Sequence, residues 1–157
     1  MLTQAIKAAL EELSIKPKKS LGQNFLINEG IYKKIVAALE LKPSKTVVEV
    51  GPGLGTLTKF LSESDAEVIA IEKDHQLVEH LKTKFANQKN VRIIEEDILK
   101  FRPNTYHLEP SLYKVVGNIP YYLTSHLLRT VFEKWPKPEL VVLMIQKEVA
   151  QRIIAKP

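Results

Sequence analysis

Cysteine is absent from the 157-residue sequence. That excludes disulfides and thiolate metal sites and is compatible with a reducing cytoplasm, the expected location. Histidine is scarce: His75, His80, His107 and His126 stand at spacings that put no pair on one helical face with a third ligand nearby, so no metal is expected. Long apolar runs are missing as well. The stretch from Leu140 to Ile145 is far short of the roughly 20 residues that span a bilayer, and no membrane partner is expected. The opening Met1-Leu2-Thr3-Gln4 soon becomes amphipathic, with Glu11 and Glu12, unlike a secretory leader. Repeats and low-complexity tracts are absent too. What is present, 45% hydrophobic and 26% charged residues, suits one soluble domain with a sizeable core. The net charge of +5 permits a polyanion as partner.

Only six glycines occur, and three of them alternate in Val47-Val48-Glu49-Val50-Gly51-Pro52-Gly53-Leu54-Gly55-Thr56-Leu57-Thr58. A run rich in β-branched residues, a tight turn and a helix start make this a strand leading into a ligand-binding loop. The dinucleotide fingerprint G-x-G-x-x-G needs a glycine at position 56, where Thr56 stands, so a pyrophosphate is not the expected ligand. A loop that begins with Glu49 is better company for a cationic, phosphate-free ligand. A glycine-rich turn with no ligand would contain the same residues.

Taken in order, apolar residues at helical spacing predict a helix over 3–14, ended by Pro17. The basic cluster Lys16-Pro17-Lys18-Lys19 reads first as a solvated linker and second as a phosphate-contacting arm. Asn28 is a candidate N-cap for a helix whose inward face is Ile31, Ile35, Ala38 and Leu39. Strands are expected at 47–50, 67–71, 91–94, 112–116 and 140–145, alternating with helices at about 56–62, 76–85, 125–133 and 147–154. That alternation predicts an α/β fold, a doubly wound, Rossmann-like parallel sheet with both faces covered. Residues 1–45 form an N-terminal arm and helices, and 46–157 the core.

Acidic residues follow the second and third strands. Glu72 comes about 20 residues after the first glycine, where such sheets place a carboxylate for a ribose diol. Asp97, closing Glu95-Glu96-Asp97, can accept from an adenine amino group while Ile98 packs on the ring; either cluster could also be a plain N-cap or a solvated loop. After the fourth strand stands Gly117-Asn118-Ile119-Pro120-Tyr121-Tyr122. If the Asn118 side chain and the Ile119 carbonyl, its position fixed by Pro120, each accept one N–H of an exocyclic amine, the nitrogen is drawn toward tetrahedral geometry and its lone pair is freed for an electrophile. Tyr121 can stack on the extruded base. Tyr122 assists or belongs to the core.

Together these motifs resemble the class I S-adenosylmethionine-dependent methyltransferases, and within them the ribosomal RNA adenine N6-dimethyltransferase family of the small subunit. Lys19-Ser20-Leu21-Gly22-Gln23-Asn24-Phe25-Leu26, Glu49 to Gly55, Val116 to Tyr121 and Met144-Ile145-Gln146-Lys147-Glu148-Val149-Ala150-Gln151-Arg152 all look like family signatures. The resemblance implies that Asn24 and Leu26 close over S-adenosylmethionine, that Gly51 and Gly53 lie against it, that Glu72 with Lys73 holds its ribose, and that Asp97 with Ile98 holds its adenine. Asn118 would both border the cofactor and hold the target amine. The implied activity is dimethylation of two adjacent adenosines near the 3′ end of small-subunit ribosomal RNA, on a small-subunit precursor, by a monomer. The chain ends before two further strands, an aromatic-bearing loop and a small helical domain that the family carries, so a truncation after strand five is expected. The alternatives are a non-catalytic RNA-binding assembly factor that keeps the fold, and a large-subunit adenine methyltransferase of the sister group. A nicotinamide-dependent oxidoreductase is disfavoured by Thr56.

Overall fold

The computed structural model describes residues 28–43 and 45–155, together with Gln4, Ala8 and Glu11, each of which is helical. The lid residues Asn24 and Leu26 and the cluster of Lys16, Lys18 and Lys19 lie outside the described residues. The described residues form five strands: β1 (Thr46–Val50), β2 (Glu67–Glu72), β3 (Val91–Glu95), β4 (Tyr113–Asn118) and β5 (Leu140–Met144). All pairings are parallel, in the order β3-β2-β1-β4-β5. The helices are α1 (Glu29–Ala38), α2 (Thr56–Ser62), α3 (His75–Lys84), α4 (Tyr121–Glu133) and α5 (Lys147–Ile154), with a short 3-10 turn at Pro103–Tyr106.

Because side chains alternate across a strand, each strand feeds two cores. Val48, Val50, Ile69, Ile71 and Val115 pack with Phe101, Leu127, Val131 and Trp135 on one face. Val47, Val68 and Val116 pack with Tyr32, Leu39, Leu57 and Leu61 on the other. A sheet covered on both faces is what near-continuous apolar strands require.

Three expectations need correction. The inward face of α1 starts from buried Tyr32 and Leu39, with Ile35 and Val36 packed beside them, whereas Ile31 is 36% exposed and Ala38 is exposed; a bulky tyrosine that stacks on Phe60 at 5.6 Å sets the helix phase. The fourth strand starts one residue later than expected and continues through Asn118, because Gly117 and Asn118 still pair with Leu143 and Met144 of β5. The following helix begins at Tyr121, not near Ser125. Pro120, whose φ of −57° already suits a helix and which has no N–H to satisfy, stands as its N-cap, so the helix starts directly after the strand's exit.

Candidate functional site

β1 and β4 are neighbours whose connections lead away to opposite sides of the sheet, β1 toward β2 and β4 toward β5. The crevice beyond their carboxyl ends is the topological switch point, the usual place for a ligand in such a sheet. A cavity of about 500 Å³ opens there, within the range of small-molecule and cofactor sites. Gly51, Gly53, Glu72, Lys73, Asp97 and Ile98 line it, and so do Asn118, Ile119 and Pro120. Nine positions from four separate sequence segments thus share one pocket.

The glycine loop is held by a carboxylate. Glu72 Oε2 accepts from the Gly53 N–H at 3.1 Å, while Oε1 accepts from the Lys73 and Asp74 N–H groups at 2.8 and 3.0 Å. Oε1 therefore has both lone pairs engaged and Oε2 keeps one acceptor position for a ligand hydroxyl. On the far side of β2, Lys73 Nζ donates to Asp97 Oδ2 at 2.8 Å and the Leu99 N–H donates to Oδ1 at 3.0 Å. The hydrogen bond from Lys73 holds the Asp97 carboxyl below its ordinary value and raises Lys73 in turn.

The two glycines at the ends of the loop serve different ends. Gly51 has φ +64°, and a Cβ there would meet nothing within 4 Å, so its main chain lies open to an approaching ligand. Gly55 has φ +72°, and a Cβ would come within 2.6 Å of the Phe85 ring and 2.7 Å of Leu81. Its bare backbone lets α3 pack close to the start of α2.

The charge of the cavity selects among ligands. Among the described residues, Glu49, Glu72, Asp74, Glu96 and Asp97 line it, against Lys73 as the one cationic side chain. Even with buried Glu49 protonated, the other four carboxylates around one lysine disfavour a phosphate and favour a cation. Glu49 is 1% exposed, and burial pushes its carboxyl up to about 8, with neighbouring Thr58 pulling the other way.

Not every expected residue joins the pocket. Tyr121 is 65% exposed and lines an adjoining groove of about 350 Å³ between α4 and α5 instead. Tyr122, 46% exposed and therefore not core, lines both. Tyr32 and Leu123 were missed as lining residues; the only sequence signal for Tyr32 was an aromatic within an otherwise aliphatic helix face. Among the described residues no group of three or more His, Cys, Asp or Glu side chains could hold a metal ion, and no helix is long and apolar enough to cross a membrane.

Among curated proteins, the Ribosomal RNA small subunit methyltransferase A of Dehalococcoides mccartyi (strain CBDB1) is 47% identical over 156 residues, covering 99% of this chain and 53% of that protein. The protein of the same name from Streptococcus thermophilus (strain LMD-9) is 46% identical over 156 residues, covering 96% and 53%. The chain thus spans about half the length of the curated relatives it matches. Among solved structures, the 23S rRNA methyltransferase ErmE superposes with a TM-score of 0.73 at 32% identity, over 82% of this chain and 50% of that one. A dimethyladenosine transferase from Plasmodium falciparum gives 0.70 at 32% identity, over 85% and 47%. With a five-stranded parallel sheet, an acidic switch-point cavity, and the family profile described as Ribosomal RNA adenine dimethylase matching residues 14–157, the chain belongs to the ribosomal RNA adenine dimethylase family.

Proposed function

We propose that this chain carries the cofactor and target-amine site of an enzyme that dimethylates N6 of two adjacent adenosines near the 3′ end of small-subunit ribosomal RNA. The observation that carries this reading is the convergence of Gly51, Glu72, Asp97 and Asn118 on one acidic cavity.

S-adenosylmethionine fits the donor set. It is cationic at the methionine end and has no phosphate, which suits a pocket where five acidic side chains and one lysine are the described charged residues. The spare acceptor position of Glu72 suits a ribose hydroxyl, Asp97 suits an adenine amino group, and Ile98 offers an apolar face to the ring. Gly51 and Gly53 let the main chain approach the ligand, and Asn24 and Leu26 are assigned to closing over it. When bound, the cofactor supplies an electrophilic methyl group on sulfur. The chain's own part is to position the acceptor: the Asn118 side chain and the Ile119 carbonyl take the two N–H groups of the amine, and Pro120 fixes that carbonyl. No strong base is needed, because the amine becomes acidic only after alkylation. Tyr121 stacks on the target base from the α4 side, worth about 1–3 kcal/mol against the few kcal/mol of unstacking. Residues 1–45 serve as the arm toward RNA and 46–157 as the catalytic core, working as a monomer in the cytoplasm on a small-subunit precursor.

Labelled methyl transfer tests the reading. The expected result is label on unmethylated small subunits and none on large subunits. Asn118→Ala should abolish transfer while cofactor affinity, read by calorimetry, falls much less; equal loss of both would reduce Asn118 to a cofactor contact. Label on large subunits alone would favour the sister activity, and RNA binding with no transfer would favour an assembly factor.

A further inference from the structure

Glu49 has no role in the reaction just described, yet it lies at the heart of the cavity. It is 1% exposed and still lines the pocket, and its Oε2 is buried with no hydrogen-bond partner among the described residues. A buried carboxylate oxygen without a donor costs free energy that a neutral acid largely avoids.

Among the described residues no cation pairs with it directly. From α3, Lys84 influences Glu49, but its ammonium donates to the Leu54 carbonyl at 2.6 Å. On β4 the same-face cation is Lys114, whose ammonium is taken by the Leu39 and Glu40 carbonyls at 2.6 and 3.1 Å. Glu72 on β2 adds a negative charge that raises the Glu49 carboxyl further, Thr58 of α2 pulls it back down through hydrogen bonding but brings no charge, and Tyr32 of α1 is itself held protonated by burial.

Resting on the cofactor reading above, we propose that Glu49 is a neutral acid in the unliganded protein and gives up its proton when the methionine ammonium of S-adenosylmethionine enters. The O–H bond of the acid breaks, the proton passes to solvent, and the carboxylate accepts an N–H from an ammonium that keeps all its own protons. The ammonium is the group assigned because it carries three N–H donors, whereas a sulfonium carries none. Strand register agrees. Glu49 pairs with Val116 of β4, two residues before Asn118, so it sits one step deeper along the strands than the residue assigned to methyl transfer.

Titration calorimetry of the 157-residue chain at pH 7, repeated in phosphate and in Tris, counts the protons released. The expected count is about 0.9 per ligand, since a carboxyl pushed up to about 8 is mostly protonated at pH 7. It should be the same for S-adenosylhomocysteine, which has the ammonium without the sulfonium. The Kd should fall close to tenfold from pH 6 to pH 7, stop falling near pH 8, and rise again above it as the ligand's own amine loses its proton. Glu49→Gln should remove the buffer dependence and leave the Kd flat from pH 6 to pH 7. Binding with buffer-independent heat in the unmodified chain overturns the proposal. So does proton release that survives Glu49→Gln, or release with S-adenosylmethionine alone. Absence of any binding overturns the cofactor reading itself, and this proposal with it.

Discussion

Glu49 also contributes to the pH dependence of the fold. Its folded value of about 8 stands above the ordinary 4.5, raised chiefly by burial. Between those values the folded chain holds a proton that the unfolded chain has released. The group's contribution to stability is therefore complete below about 4.5 and declines as pH rises through about 8. Glu49→Gln removes the titration without changing the side chain's shape. Urea unfolding should show the variant and the parent with a small difference near pH 5, and the variant gaining on the parent by a few kcal/mol by pH 9. A difference that is the same at both pH values would mean the carboxyl is not held protonated. The glycines offer a second contrast at this scale. Gly55→Ala drives a Cβ against Phe85 and Leu81, with an expected loss of about 1–3 kcal/mol in stability. Gly51→Ala pays only the left-handed backbone strain of roughly 1–2 kcal/mol, but its Cβ enters the open space beside the loop, so it should weaken cofactor binding more than Gly55→Ala does. Thermal melts and calorimetry on the pair separate the two roles.

At the scale of elements, α1 is joined to the sheet by a buried cation. Lys114 of β4 is 3% exposed and donates to the carbonyls of Leu39 and Glu40, just past the last turn of α1, with Glu139 at 3.7 Å. Positive charge at a helix C-terminus is favourable and these bonds are charge-assisted. Lys114→Met should cost about 1.5–3 kcal/mol, and amide exchange should speed up in α1 more than in α3; uniform loss of protection would make Lys114 a general core residue. None of this was legible in advance, because a lysine within a strand reads as solvent-facing until α1 is known to lie over it. The strands and the glycine loop were legible, since β-branched runs, alternate glycines and the acids after β2 and β3 are local signals. The start of α4 was not: Pro120 and two tyrosines read equally well as a turn, and only pairing of Gly117 and Asn118 with β5 carries the strand right up to the helix. The role of Glu72 was half legible. Its place near a ligand followed from spacing, but its bond to the Gly53 N–H needed the fold.

At the scale of the whole molecule the charge is divided. The chain carries a net +5, yet among the described residues its cavity gathers four carboxylates and the buried acid Glu49 around one lysine. An RNA backbone and a cationic cofactor therefore feel opposite local fields, and salt should act on them unequally. Binding of single-stranded RNA weakens with a log–log slope of about −0.7 per phosphate neutralised. If Lys16, Lys18 and Lys19 supply the contacts, the slope for an unmethylated small-subunit hairpin should be near −2, and replacing all three by alanine should flatten it. Cofactor affinity should change far less over the same range, because a single small cation in a partly enclosed pocket displaces few ions. Filter binding and calorimetry at matched salt concentrations give both slopes. An RNA affinity that stays flat with salt, or survives the triple substitution unchanged, would remove the basic arm from RNA recognition and leave contacts elsewhere on the chain to account for it.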